Sequence, residues 1–531
     1  MKNIRHIILL VLATLALVPT LAAKPKVVVN IVVGGMCGDD LTRYSENFSD
    51  KGFNRLTSGG AVYAECYSDF IPNTHLSALA TIASGTLPSM HGVIADKWYD
   101  RSNNNAIVTL GRKKGEVRCN ARDGINSGFT ADHIAVQTLA EAVVESHSKS
   151  RSITVAQSAN SAILLAGRAS ECYWIDDRGR WCSADCYTNM LPSWVTTYNE
   201  TDFNSVFVTG SWFGQYPKSR YLNSRKSDIL VYDVSTKVSK NKNEVTGWAE
   251  QLATTPAGNG AVLEFAKKAF NHLLHEKRPG ENDILNICLD ASRNIAQKYG
   301  SDSIEYEDML YRLDTSLGEF LDHVFAQVKS KDDVVIVLTS DRGSLAASTY
   351  DLSNKYQFNR RQTEVILNAF LSARYGQGNW VLGCHDNSIY LNRNTIYSHK
   401  LTLKEIETEA AAFAIQFRGI ANALTAEAML SGSFVHGTAR LMQNTFYAQR
   451  SGDVSIVLQP LHIDNEQPGL SSGSPYNYDR HVPLVIYGGG IASQRIDRRV
   501  STTSIAPTIA SLLGVKRPMC SDAEILTEVK K

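Results

Sequence analysis

Two rhythms of apolar and polar positions organise the chain. Val27-Val28-Val29-Asn30-Ile31-Val32-Val33 is a nearly unbroken β-branched run, the pattern of a strand buried on both faces. Shorter runs of the same kind predict strands at Ile153–Gln157, Ile284–Leu289, Asp333–Thr339, Asp453–Gln459 and Pro483–Tyr487. Helical spacing predicts a short helix from Phe53 to Leu56 and longer ones at Ala131–Val144, Leu263–Leu274, Glu305–Val328 and Thr508–Leu513. Met309, Leu310, Leu313, Leu317, Phe320, Leu321 and Val324 form one apolar face of the longest. Strands alternating with helices predict an α/β fold: a mostly parallel central sheet with helices on both faces. The rhythm breaks twice. Residues 172–246, rich in Ser, Tyr, Trp and Asn, read as an inserted cap. Residues 347–450 read as a second insertion, with strand-like pieces at Glu364–Leu371 and Ser388–Leu391 and a helix-rich part from Leu403 to Leu430.

The segment Ile71–Val93 has its own pattern. A Pro72-Asn73 turn leads through Thr74 and His75 into the small, apolar run Leu76–Ala83, which Ser84-Gly85-Thr86 and Pro88 end. A polar residue at the start of a buried helix is well placed for nucleophilic chemistry. The free N–H groups there favour an anion such as phosphate or sulfate.

Composition adds bounds. The 531 residues are 43% hydrophobic and 20% charged, with formal net charge +1, which gives no reason to expect a nucleic-acid partner or an anionic membrane surface. Lys2 and Arg5 precede the apolar run Ile7–Leu17 and a cleavage region at Leu21-Ala22-Ala23, so residues 1–23 read as a secretory signal peptide and 24–531 as the mature domain. No later stretch is apolar enough to span a bilayer, and the expected location is periplasmic or secreted. Nine cysteines include Cys172, Cys182 and Cys186 around the hairpin-like YWIDDRGRW, where an oxidising compartment would permit a Cys172–Cys182 bridge. Arg112-Lys113-Lys114 and Lys237–Lys242 read as solvated loops. His91 is expected to be structural, and His272 and His275 to lie on a polar helix face.

Several motifs in order resemble the alkaline phosphatase superfamily, in particular its exported bacterial phosphomonoesterase branch near the nucleotide pyrophosphatase/phosphodiesterases. They are IVVGGM, IP…SGTLPSMHGV with Lys97-Trp98-Tyr99-Asp100, YGSDSIEYEDMLYRLDTSLGEFLD, VLTSDRG, GSPYNYDRHVPLVIYG and TTSIAPTIASLLGV. The resemblance implies a hydroxyl nucleophile and two metal ions, usually zinc, held by carboxylates and imidazoles at strand ends.

Position by position, the chain departs from that pattern. Gly34 stands where the first strand's ligand Asp belongs, and His75 where the nucleophile belongs, with Thr74 one residue out of register. Arg293 and Gln297 occupy the D-x-x-x-H pair, with Asp290 three residues early. In the T-A-D-H-G motif Asp341 survives and Arg342 replaces His; Ser472 replaces the last His. The phosphate-binding positions hold Ser158 and Asn160 for Lys-x-Arg, and Asp96 for Asn. Arginine offers no lone pair and glycine no side chain, so these losses imply that no zinc is bound. The expectation is therefore an exported, alkaline phosphatase-like pseudoenzyme with a binding or structural role. Its partner is not specified by the sequence, an anionic ligand and another exported protein both being compatible. The alternative is an active phosphate- or sulfate-ester hydrolase with a rebuilt site. In it Arg293 and Arg342 hold the anion, His75 attacks, and Asp341 serves as base or arginine partner.

Overall fold

The computed structural model describes residues 25–95, 97–101, 106–109, 118–120, 124–201, 211–223, 232–233, 252–275, 282–345, 356–464 and 473–529. The expected signal peptide, both basic runs, Asp96 and Ser472 lie outside them.

The β-branched run Val27–Val33 is the middle of an eleven-stranded sheet. Val27, Val29, Ile31 and Val33 pack into the hydrophobic core on one face, and Val28 and Val32 into the core on the other. Burial on both faces is what selects a continuous apolar strand. Asn30 interrupts it without leaving an orphaned donor, because its side-chain N–H donates to Asn286 Oδ1 at 3.0 Å on the neighbouring strand. Val27–Val33 pairs in parallel with Asp283–Leu289 and with Val334–Thr339, and Asp283–Leu289 pairs in parallel with Ser152–Ala156. The registers bring the C-terminal ends of all four strands to one edge of the sheet, where open α/β sheets place their sites. His481–Gly488 runs antiparallel beside Val334–Thr339, so the sheet is mixed but parallel at its centre.

Other elements differ from the expectations in instructive ways. The helix expected over Ala131–Val144 begins at Leu139, where the Thr138 hydroxyl accepts from Glu141 N and the Glu141 carboxylate accepts from Thr138 N at 2.7 Å. This capping box outweighs the apolar spacing before it. Glu364–Leu371 is part of a helix, Arg360–Tyr375, whose buried positions Thr363, Leu367 and Leu371 recur every four residues. The Leu403–Leu430 stretch contains a strand, Ile420–Thr425, between two helices. Cys172 and Cys182 are not bridged to each other: Cys182 pairs across the hairpin with Trp174, two residues from Cys172. That hairpin belongs to the main sheet, since Glu171–Ile175 pairs in parallel with Ile153–Val155. The later insertion builds a four-stranded sheet over its own core, which includes Leu367, Leu371, Ile389 and Ile406.

Two carboxylates of the long helix Ile304–Ala326 fasten the cap segment 211–223 to the body. Asp308 accepts from Trp212 Nε1 at 2.7 Å, Gln215 N at 2.6 Å, Tyr221 OH at 2.5 Å and Arg312 Nε at 2.7 Å. Glu307 accepts from Leu222 N at 2.8 Å, Asn223 N at 2.9 Å and Tyr311 OH at 2.6 Å. Each carboxylate is buried and fully used. Removing one orphans several buried donors. Asp308→Ala is expected to lower stability by about 2–4 kcal/mol in urea unfolding. It should also open protease cleavage within 211–223 before the sheet unfolds.

Candidate functional site

The helix His75–Ser84 starts directly over the strand ends, and all ten of its residues are buried. Thr74 is its N-cap. The Thr74 hydroxyl accepts from Ser77 N at 3.3 Å, and Ser77 Oγ accepts from Thr74 N at 3.1 Å. Thr74 is thus committed to starting the helix. The next side chain, His75, reaches into the sheet.

Both ring nitrogens of His75 meet carboxylates. Nδ1 lies 2.6 Å from Asp341 Oδ2, and Nε2 lies 3.1 Å from Asp290 Oδ1 and 2.9 Å from Ser161 Oγ. Both carboxylates are otherwise occupied. Asp341 Oδ1 accepts from Gly35 N at 2.7 Å. Asp290 Oδ1 accepts from Ser161 Oγ at 2.7 Å and its Oδ2 from Ser158 N at 3.0 Å. Ser158 caps the helix Ala159–Ala166, and its hydroxyl lies 2.8 Å from that of Ser161.

The electrostatics follow from this packing. Burial alone would depress the His75 imidazole, and the Arg293 charge adds to that. The Asp341 charge and the hydrogen bonds to Asp290 and Asp341 outweigh both and raise its pKa. Burial opposes ionisation of Asp290 and Asp341, but their contacts with His75 prevail and hold both below the usual carboxylate range. Each ring nitrogen of His75 thus faces a carboxylate, an arrangement that favours the protonated imidazole.

Two guanidinium groups complete the centre. Arg293 donates from Nη1 to Gln297 Oε1 at 3.5 Å, while its Nε is buried with no hydrogen-bond partner. Arg342 Nε lies 4.0 Å from Asp341 Oδ2. A side chain at Gly34 would collide with this arrangement, because its Cβ would stand 2.9 Å from Arg293 Cβ and 3.3 Å from Leu289 O. Position 34 is therefore held to glycine by the backbone and Cβ of the helix that carries Arg293. Arg293 and Arg342 carry fixed positive charge beside Asp290 and Asp341, and a protonated His75 adds a surplus that favours an anion.

The structure thus gathers Gly34, His75, Ser158, Arg293, Gln297, Asp341 and Arg342 at one end of the sheet. Asn160 lies in the first turn of the helix that Ser158 caps, but makes none of the contacts that tie the cluster. Ser161 carried no sequence signal. Asp290 was marked by ending a buried strand and by lying three residues early of the D-x-x-x-H pair. Cys288 lies behind them, its Sγ 3.5 Å from Asp290 Oδ1, and burial pushes its thiol well up. His75, Cys288 and Asp290 bring potential metal-donor atoms within 4.8 Å of one another. Away from the centre, His91 is buried, accepts from Val93 N at 3.1 Å and lies 3.0 Å from Thr81 Oγ1. Burial lowers its pKa to about 3, which suits a neutral structural histidine.

Residues 28–460 match the model of the type I phosphodiesterase/nucleotide pyrophosphatase family. The chain belongs to that family. Within the alkaline phosphatase superfamily it is similar to alkaline phosphatase PafA of Elizabethkingia meningoseptica, at 24% identity over 95% of this chain and 94% of the relative. It is also similar to a protein of Myroides odoratus named calcium-transporting ATPase, at 26% identity over 93% of each. The crystal structure of wild-type PafA shares the fold, with a TM-score of 0.85 at 23% identity over 96% of this chain and 99% of that one. No helix among the described residues is long and apolar enough to cross a membrane.

The family's centre gives the trio a measurable signature in this chain. The raised pKa of His75 contributes stability that is complete below its ordinary value of 6.5 and is lost as pH rises through the folded value. The depressed values of Asp290 and Asp341 contribute stability above 3.8 that is lost as pH falls. The urea-unfolding difference between wild type and His75→Gln should therefore peak near about pH 5, at about 2–4 kcal/mol, and shrink toward both extremes. A difference independent of pH would contradict the ion-paired assignment.

Proposed function

We propose that this chain is an exported, non-catalytic member of its family, in which the reaction centre has become a metal-free receptor for an anion. The observation that carries the reading is the placement of His75, with both ring nitrogens satisfied by Asp341 and Asp290. The resemblance calls for zinc ions held by carboxylates and imidazoles. The residues at those positions fit such ions poorly. Gly34, Arg293 and Arg342 offer no metal-binding lone pair from a side chain, and Arg293 and Arg342 add fixed positive charge. Asp290 and Asp341 already accept from His75, Ser161 and backbone N–H groups. His75, held as an imidazolium, has no free lone pair either to attack an ester or to bind a metal.

What this centre can do is attract negative charge. Arg293 and Arg342 match the planar, forked geometry by which guanidinium groups hold phosphate, sulfate or carboxylate. The buried Nε–H of Arg293 is a donor that such a ligand would satisfy. The chemical class proposed is thus an oxyanion, free or borne on a larger exported molecule.

One observation favours a second reading, in which the chain hydrolyses esters without the family's nucleophile. Ser161 Oγ, His75 Nε2 and Nδ1, and Asp341 Oδ2 follow one another at 2.9 and 2.6 Å, the order of a serine–histidine–aspartate triad. Against it, Ser161 is fully buried, and its hydroxyl donates to Asp290. An imidazole already carrying both protons cannot accept a third.

Assays of the mature protein with p-nitrophenyl phosphate, bis-p-nitrophenyl phosphate, p-nitrophenyl sulfate and p-nitrophenyl acetate separate the readings. With and without added Zn²⁺, hydrolysis is expected at the buffer rate. Calorimetry should meanwhile detect phosphate or sulfate binding that Arg293→Glu weakens about tenfold or more. Turnover abolished by Ser161→Ala and His75→Ala would replace the receptor with the triad.

A further inference from the structure

A groove of about 710 Å³ opens at the far end of the helix His75–Ser84, within the range of small-molecule sites. Ten helical residues put it about 15 Å from His75, so it is separate from the centre. Its walls come from the end of that helix, the segment Val435–Asn444, the strand end Arg499–Thr503 and the C-terminal Asp522-Ala523.

Three guanidinium groups line this groove: Arg440, Arg480 and Arg499. Arg480 and Arg499 share one carboxylate, each meeting Asp69 Oδ1, at 3.3 and 2.9 Å. Arg480 is 7% exposed and is fixed by the carbonyls of Ser68 and Pro475 at 2.7 and 3.3 Å. Arg499 stacks on the Tyr67 ring, 4.4 Å from its centroid. Two of the three cations are therefore held in place before any ligand arrives. Arg440 is exposed, and among the described residues no carboxylate forms an ion pair with it. With Asp522, the lining holds two carboxylates against three guanidiniums.

Apolar side chains share the rim. Met90 is 53% exposed and Val435 83% exposed, and Leu87 and Leu441 lie between the polar residues. One N–H of the Asn444 amide is already committed, donating to Asp69 O at 2.5 Å. A purely inorganic ion would leave the apolar rim in water, and a neutral apolar molecule would desolvate the guanidiniums without compensation. We infer that this groove is a second binding site, which takes a small organic anion whose acidic group meets Arg440 and Arg499 and whose apolar body covers Met90 and Val435. Arg480 and Asp69 hold the cationic wall in shape.

The test uses 8-anilinonaphthalene-1-sulfonate, a fluorescent anion with an apolar body, on the mature protein. Saturable one-site enhancement is expected. Arg440→Glu and Arg499→Glu should each weaken it about tenfold, Met90→Glu should weaken it also, and Arg293→Glu in the centre should leave it unchanged. Thermal melting curves matching wild type would show that the groove variants are folded. If a groove variant melts early, Arg440→Gln, an exposed change, takes its place with a smaller expected loss. Non-saturable binding, full binding by the Arg440 and Arg499 variants, or loss of binding on Arg293→Glu would each overturn the assignment.

Discussion

The contact of one buried histidine, His75, with two buried carboxylates governs the centre of this molecule. Asp341 follows one parallel strand and Asp290 another, and His75 opens a buried helix above both. Each of these charges would be costly to bury alone. Together they cross-tie three elements distant in sequence, and Gly35 N–H, Ser158 N–H and the Ser161 hydroxyl donate to the remaining carboxylate positions. Arg293 depends on the same arrangement: its helix begins at Asp290, and its Cβ takes the room a side chain at position 34 would need. Position 34 is crowded by the Cβ of residue 293 and the Leu289 carbonyl, so a side chain there would clash.

The sheet explains why such a centre can persist. Four parallel strands in register deliver their ends to one edge, and the two hydrophobic cores that hold them lie away from it. The residues after those strands can change without disturbing either core. In folds of this kind the scaffold is kept by burial and the chemistry by a few residues beyond the strand ends, so the two can part company. The family match and the shared fold describe the scaffold of this chain.

Much of the scaffold was legible in the sequence because burial on both faces leaves an unambiguous mark, as in Val27–Val33. Elements with one wet face were harder. Glu364–Leu371 is apolar and partly β-branched, yet Asn359 caps a helix through it, its side chain accepting from Gln362 N at 2.9 Å. Ala131–Val144 was read too long because apolar spacing cannot locate a capping box. At the centre, the fixed distance from Ser84-Gly85 placed His75 at the helix start. Its partners were not readable in the same way: Ser161 and Asp290 are 86 and 215 residues further along the chain, and only the fold brings them to it. Asp290 lies three residues early of the expected motif position, and the fold sets its carboxylate 3.1 Å from His75 Nε2.

The most direct test of the account is the metal content of the mature protein after equilibration with a small excess of Zn²⁺ and removal of loosely bound ions. Plasma mass spectrometry should then find well below one zinc per chain, unchanged by His75→Gln. Two tightly held zinc ions per chain, or one that His75→Gln releases, would contradict the claim that a proton-bearing imidazole and two arginines have taken the metals' place.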